Sequence, residues 1–104
     1  MKQISRLTSF VLLGAFATSP ILANEELATK SGCMTCHKVD TKVLGPSFKE
    51  IAAKYKGDSG AEAALIEKVS KGGTGTWGQV PMPPNSPRVS DADIKTLVQW
   101  ILGM

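Results

Sequence analysis

Cys33-Met34-Thr35-Cys36-His37 is the stretch whose residue types and spacing speak most directly of chemistry. Two thiols three positions apart share one turn of chain, and an imidazole follows at once. A C-x-x-C-H run of this kind is an attachment signature for haem. Each thiol can add to one vinyl group of the porphyrin, giving two thioether bonds. The histidine is then held beneath the iron as its proximal ligand. His37 is the only histidine, and Cys33 and Cys36 are the only cysteines. Other uses of the pair fit less well. A thioredoxin-like dithiol belongs in a βαβ context, which the flanking residues do not suggest. A disulfide across so short a loop would constrain little. A zinc site takes four ligands, and the chain has no further cysteine or histidine to offer.

An iron bound by histidine on one face needs a ligand on the other, and methionine in that place raises the reduction potential. Met82 sits in Val80-Pro81-Met82-Pro83-Pro84-Asn85. The prolines fix φ and remove backbone donors, so the loop can present a thioether with little conformational freedom to lose. Met34 lies inside the attachment turn and cannot reach the opposite face, and Met104 is the last residue. Met82 is therefore the expected axial partner of His37.

The elements that must position these side chains read as helices. Asn24 is a fair N-cap, followed by Glu25 and Glu26 in a first turn, so a helix is expected from Glu25 to Ser31. Gly45-Pro46 marks a turn, and Ser47 can cap a helix from Phe48 to Tyr55, with Phe48, Ile51, Ala52 and Tyr55 at helical spacing. A third helix is expected over Ala61 to Lys71, stopped by Gly72-Gly73. Ser90-Asp91-Ala92-Asp93 resembles a capping box and opens a helix to Leu102, along which Ile94, Leu97, Val98, Ile101 and Leu102 repeat on one face. Between the last two helices, the glycine- and proline-rich residues 72–88 form a loop of the length that is usually functional in so small a domain. No strand and no internal repeat is evident. The expectation is one small all-α domain whose first and last helices pack together around a cofactor, with Trp100 packing on the last helix.

The chain has 104 residues, enough for one domain. Lys2 and Arg6, the apolar run Phe10 to Ala17, the break at Ser19-Pro20 and the small Ala23 read as a secretory signal covering residues 1–23, removed after Ala23 to leave a domain of 24–104. The apolar run is too short to span a membrane. Without Lys2 and Arg6, ten basic side chains face nine acidic ones. There is no basic stripe with interleaved aromatics, so nucleic-acid binding is not expected. A domain this small has a marginal core of its own, and a large apolar cofactor would supply much of the missing buried surface.

Taken in order, Cys33 to His37, Leu44-Gly45-Pro46, Ile51-Ala52-Ala53-Lys54-Tyr55, Trp77-Gly78 and Pro81-Met82-Pro83-Pro84-Asn85 resemble the small bacterial class I cytochromes c of the c-551/c-552 type. The resemblance covers the whole of 24–104. It implies a compact α bundle of about four short helices around one covalent haem c, working as a one-electron carrier in the periplasm rather than as an enzyme. It also implies that the Pro46 carbonyl accepts from the His37 ring, that Asn85 hydrogen-bonds the Met82 sulfur, and that Trp77 donates its indole N–H to a haem propionate, with Lys68 a weaker candidate for the same group. Ser86-Pro87-Arg88 lengthens the link to the last helix and puts the local surface in question. Expected partners are a quinol-oxidising complex upstream and a nitrite reductase, peroxidase or terminal oxidase downstream, with no stable membrane insertion and a monomeric protein. Lys30, Lys38 and Lys42 flank the motif and could favour an acidic partner; an ordinary solvated surface is the alternative. The rival functions are a haem enzyme or gas sensor with an open iron, and a haem-free thiol redox or metal module.

Overall fold

Two serines set the starts of two helices. Ser47 accepts a hydrogen bond from the Glu50 N–H at 3.1 Å, opening α2 (Phe48–Tyr55). Ser90 accepts from the Asp93 N–H at 3.2 Å, opening α4 (Asp91–Leu102). Each satisfies one of the backbone donors that a helix leaves without a partner at its start. The structure, a computed structural model, describes residues 20–104. Among them are four α-helices, completed by α1 (Pro20–Lys30) and α3 (Ala61–Lys71), and one short 3₁₀ helix over Cys33–Thr35. There is no strand among the described residues, only isolated bridges pairing His37 with Lys42 and Gly73 with Met82. None of these helices is long and apolar enough to cross a membrane.

Three helices keep their expected bounds, and the first does not. α1 begins at Pro20 instead of Glu25 and ends at Lys30, so Asn24 lies inside the helix and does not cap it. The expected cleavage point after Ala23 falls within α1, and residues 1–19 of the expected signal lie outside the described residues.

The last helix is the one the others pack on: α1, α2 and α3 each contact α4. Its apolar face divides between two small clusters. Leu97 joins Ala28 of α1 and Phe48 of α2, while Ile94 and Val98 join Val89, with Leu65, Ile66 and Val69 of α3 against them. Among the described side chains of α1, Ala28 is fully buried and Leu27 only partly covered. A small side chain there lets α1 lie close against α4.

Phe48 links this core to the attachment motif. Its ring stacks on His37 at 5.5 Å between centroids and meets Trp100 edge-on at 5.5 Å. Phe48→Ala is expected to cost about 3–5 kcal/mol, measured by chemical denaturation of the haem-loaded protein. A loss below about 1 kcal/mol would show that this ring does not join the two regions.

Candidate functional site

The attachment turn is set by a reversal of the chain. α1 ends, Gly32 takes a left-handed φ of 85°, and the 3₁₀ turn over Cys33–Thr35 follows, with the His37 N–H bonded to the Cys33 carbonyl at 3.0 Å. A left-handed residue at this place favours glycine, which lacks a Cβ to clash. Cys33 and Cys36 are partly buried, with no disulfide between them. Burial pushes the Cys33 thiol above its ordinary value, and the Arg88 guanidinium opposes that rise.

His37 is held from three sides. Its Nδ1 lies 2.7 Å from the Pro46 carbonyl oxygen. A carbonyl can only accept, so Nδ1 carries the proton and donates, leaving the lone pair on Nε2. Phe48 stacks on one ring face. Gly45 leaves the space the ring needs: a Cβ there would lie 2.5 Å from His37 Cε1 and 2.9 Å from Nδ1. The Gly45 N–H donates to the Cys36 carbonyl at 2.8 Å, tying this loop back to the motif.

Met82 is held through its backbone. Its N–H donates to the Gly73 carbonyl at 2.9 Å and its carbonyl accepts from the Gly73 N–H at 3.0 Å. The pairing places Met82 against the end of α3, where Gly72 has a φ of 73°. A Cβ on Gly72 would collide with the Met82 carbonyl oxygen. The two glycines read as a helix stop thus also make the seat for the Met82 backbone.

These two constructions face one apolar cavity of ≈ 310 Å³, lined among others by Cys33, Cys36, His37, Pro46, Trp77 and Met82. The residues fit a haem on chemical grounds. They bring together two thiols for thioether attachment, one imidazole whose tautomer leaves Nε2 free, and one thioether, in surroundings suited to a flat apolar ring. No cluster of three or more His, Cys, Asp or Glu that could hold a bare metal ion is found among the described residues.

Four further residues noted in the sequence take definite places. Asn85 is buried but is not on the cavity wall. Its Nδ2 donates to the Val69 carbonyl at 3.0 Å and the Pro83 carbonyl at 3.3 Å, while its Oδ1 accepts from Arg88. Both amide hydrogens are thereby used, and the expected bond to the Met82 sulfur is not made; Asn85 braces the loop instead. Trp77 lines the cavity. The Lys54 ammonium lies 5.5 Å from the centre of its ring. Lys68 does line the cavity, with its Nζ 2.8 Å from where a Cβ on Gly73 would stand. Arg88, noted in the sequence only as part of a lengthened link, bonds to both Ser31 and Asn85. No local pattern announces the contact with Ser31.

The cytochrome c family model matches residues 23–104. Cytochrome c-551 of Allochromatium vinosum is 57% identical over 83 residues, covering 80% of this chain and 87% of that protein. Cytochrome c-552 of Nitrosomonas europaea is 50% identical over 98 residues, covering 88% and 94%. The crystal structure of wild-type Nitrosomonas europaea cytochrome c552 superposes with a TM-score of 0.71 at 52% identity, covering 75% of this chain and 95% of that one. That of the Class 1 cytochrome MtoD from Sideroxydans lithotrophicus ES-1 superposes with a TM-score of 0.70 at 37% identity, covering 80% and 94%.

Gly45→Ala is expected to displace the His37 ring, weaken its bond to Pro46 and cost about 1–3 kcal/mol, as overpacking does. Denaturation of the haem-loaded protein and exchange of the His37 ring N–H by NMR would measure it. Unchanged stability together with unchanged exchange would show that this space is not needed.

Proposed function

The chain belongs to the cytochrome c family, as a class I monohaem electron carrier with covalently attached haem c, and on that premise we propose that His37 and Met82 are its two axial ligands. Bound at this site, the haem supplies the redox chemistry, its iron taking up and giving back one electron. The Cys33 and Cys36 sulfurs hold it through thioether bonds. His37 Nε2, oriented by the Nδ1–H bond to Pro46, and the Met82 sulfur would hold its iron. With both residues so engaged, the chain would leave no position for a substrate or gas. The observation that carries this reading is that His37 and Met82 stand on one apolar cavity, each fixed by its own backbone support.

The chain's other residues serve the same task. The apolar walls keep water from the iron, and a desolvated site with a thioether ligand favours the reduced state. Trp77 and Lys68 both line the cavity, which supports them as donors that would meet the propionates. Leu44 and Val80 add apolar side chains to the cavity lining. Lys30, Lys38 and Lys42 are exposed nearby in sequence and would favour an acidic redox partner. Residues 1–23 would direct export and be removed, so the carrier would work in the periplasm, as a monomer, between a quinol-oxidising complex and a nitrite reductase, peroxidase or terminal oxidase.

Optical spectra of protein recovered from the periplasm test the ligation. The ferric protein should show a weak far-red band from methionine–iron ligation, and Met82→Ala should abolish it. The same variant should lower the reduction potential by roughly a tenth of a volt or more, within the ~0.8 V that axial ligation spans. A high-spin spectrum in the unmutated protein would overturn the reading.

A further inference from the structure

Arg88 lies between the Met82 loop and α4, and its side chain reaches back across 57 residues of sequence. Nη1 donates to the Ser31 carbonyl at 2.8 Å, and Nη2 donates to Asn85 Oδ1 at 2.7 Å. The guanidinium also covers the turn at Gly32, where a Cβ would lie 3.7 Å from Nη1 and 3.8 Å from Nη2. Ser31 and Gly32 lead directly into Cys33. Asn85 stands three residues beyond Met82, and its amide holds the carbonyl of Pro83, the residue next to Met82. Arg88 therefore joins the segment entering the attachment turn to the loop on the other side of the cavity.

We propose that Arg88 is a positioning residue that ties the Met82 loop to the attachment turn and so sets how readily the Met82 thioether leaves the iron. The proposal rests on the His37/Met82 reading above. A planar guanidinium suits the task, because its donors are preset in a fork and hydrogen bonds from a charged donor are stronger than neutral ones. A lysine ammonium is a point charge on a flexible stem, and it cannot reproduce the fork between two fixed acceptors. The path runs from Arg88 to Asn85, from Asn85 to the Pro83 carbonyl, and so to Met82. Loosening it raises the fraction of molecules with Met82 off the iron. A competing ligand then binds with higher apparent affinity, in proportion to that fraction.

Titration of the ferric, haem-loaded protein with imidazole, followed by loss of the far-red band, tests this. Arg88→Met should bind imidazole roughly tenfold more tightly than the unmutated protein, equivalent to ~1.4 kcal/mol. Arg88→Lys should fall between them and serves as the readable variant if the first does not retain haem. Gln99→Ala breaks the 2.9 Å bond to Glu62 that joins α4 to α3, away from the cavity lining, and should leave imidazole affinity unchanged. Affinities of both Arg88 variants within about twofold of the unmutated protein, or an equal gain in Gln99→Ala, would overturn the proposal while the far-red band keeps the ligation reading intact. Absence of that band in the unmutated protein would remove both.

Discussion

The hydrogen bond from His37 Nδ1 to the Pro46 carbonyl, 2.7 Å long, is the constraint on which the rest of the site depends. It puts the ring proton on one nitrogen and leaves the other free for a metal. It also requires the chain to return to the histidine within nine residues. That return explains several local choices at once. Gly45 has no side chain because the ring occupies the place of its Cβ. Ser47 turns the chain into α2 one residue after Pro46, and Phe48 at the first position of that helix stacks on the ring it has just helped to enclose. Through Trp100 and Leu97, Phe48 carries this arrangement into α4.

The opposite wall is built by different means. His37 is held through its side chain, but Met82 is held through its backbone, which pairs with Gly73 at the end of α3. The prolines on either side restrict the loop further. The two walls share only a small core between them, in two clusters of three fully buried residues each. The cavity takes the place where a larger domain would have more core. An apolar cofactor bound there is a structural component as well as a reactive one, because burying apolar surface is the main favourable term in folding.

The parts of this structure legible in the sequence are those governed by short-range rules. The attachment motif, the serine caps at Ser47 and Ser90, and the periodic faces of α2, α3 and α4 each need only a few neighbouring residues to be read. The failures have equally physical origins. Asn24 has the side chain of a helix cap, but it lies within α1, so that helix starts earlier than its capping pattern suggests. Asn85 has the polarity to reach a sulfur, but carbonyls from α3 and from its own loop claim its amide first. Arg88 is the plainest case. Asn85 is a local partner three residues away, but Ser31 is 57 residues away and is brought to Arg88 by tertiary packing, which nothing near position 88 in the sequence encodes.

The central claim is that Met82, and neither Met34 nor Met104, completes the coordination opposite His37. Proton–carbon NMR of the reduced protein labelled at the methionine methyl groups tests it most directly. A methyl group fixed above the porphyrin is shielded by the ring current, so one methyl signal should lie far upfield of the others and disappear in Met82→Ala. If all the methionine signals instead lie together in the ordinary range, or if the shifted signal survives that substitution, Met82 is not the ligand and the account of the second wall fails.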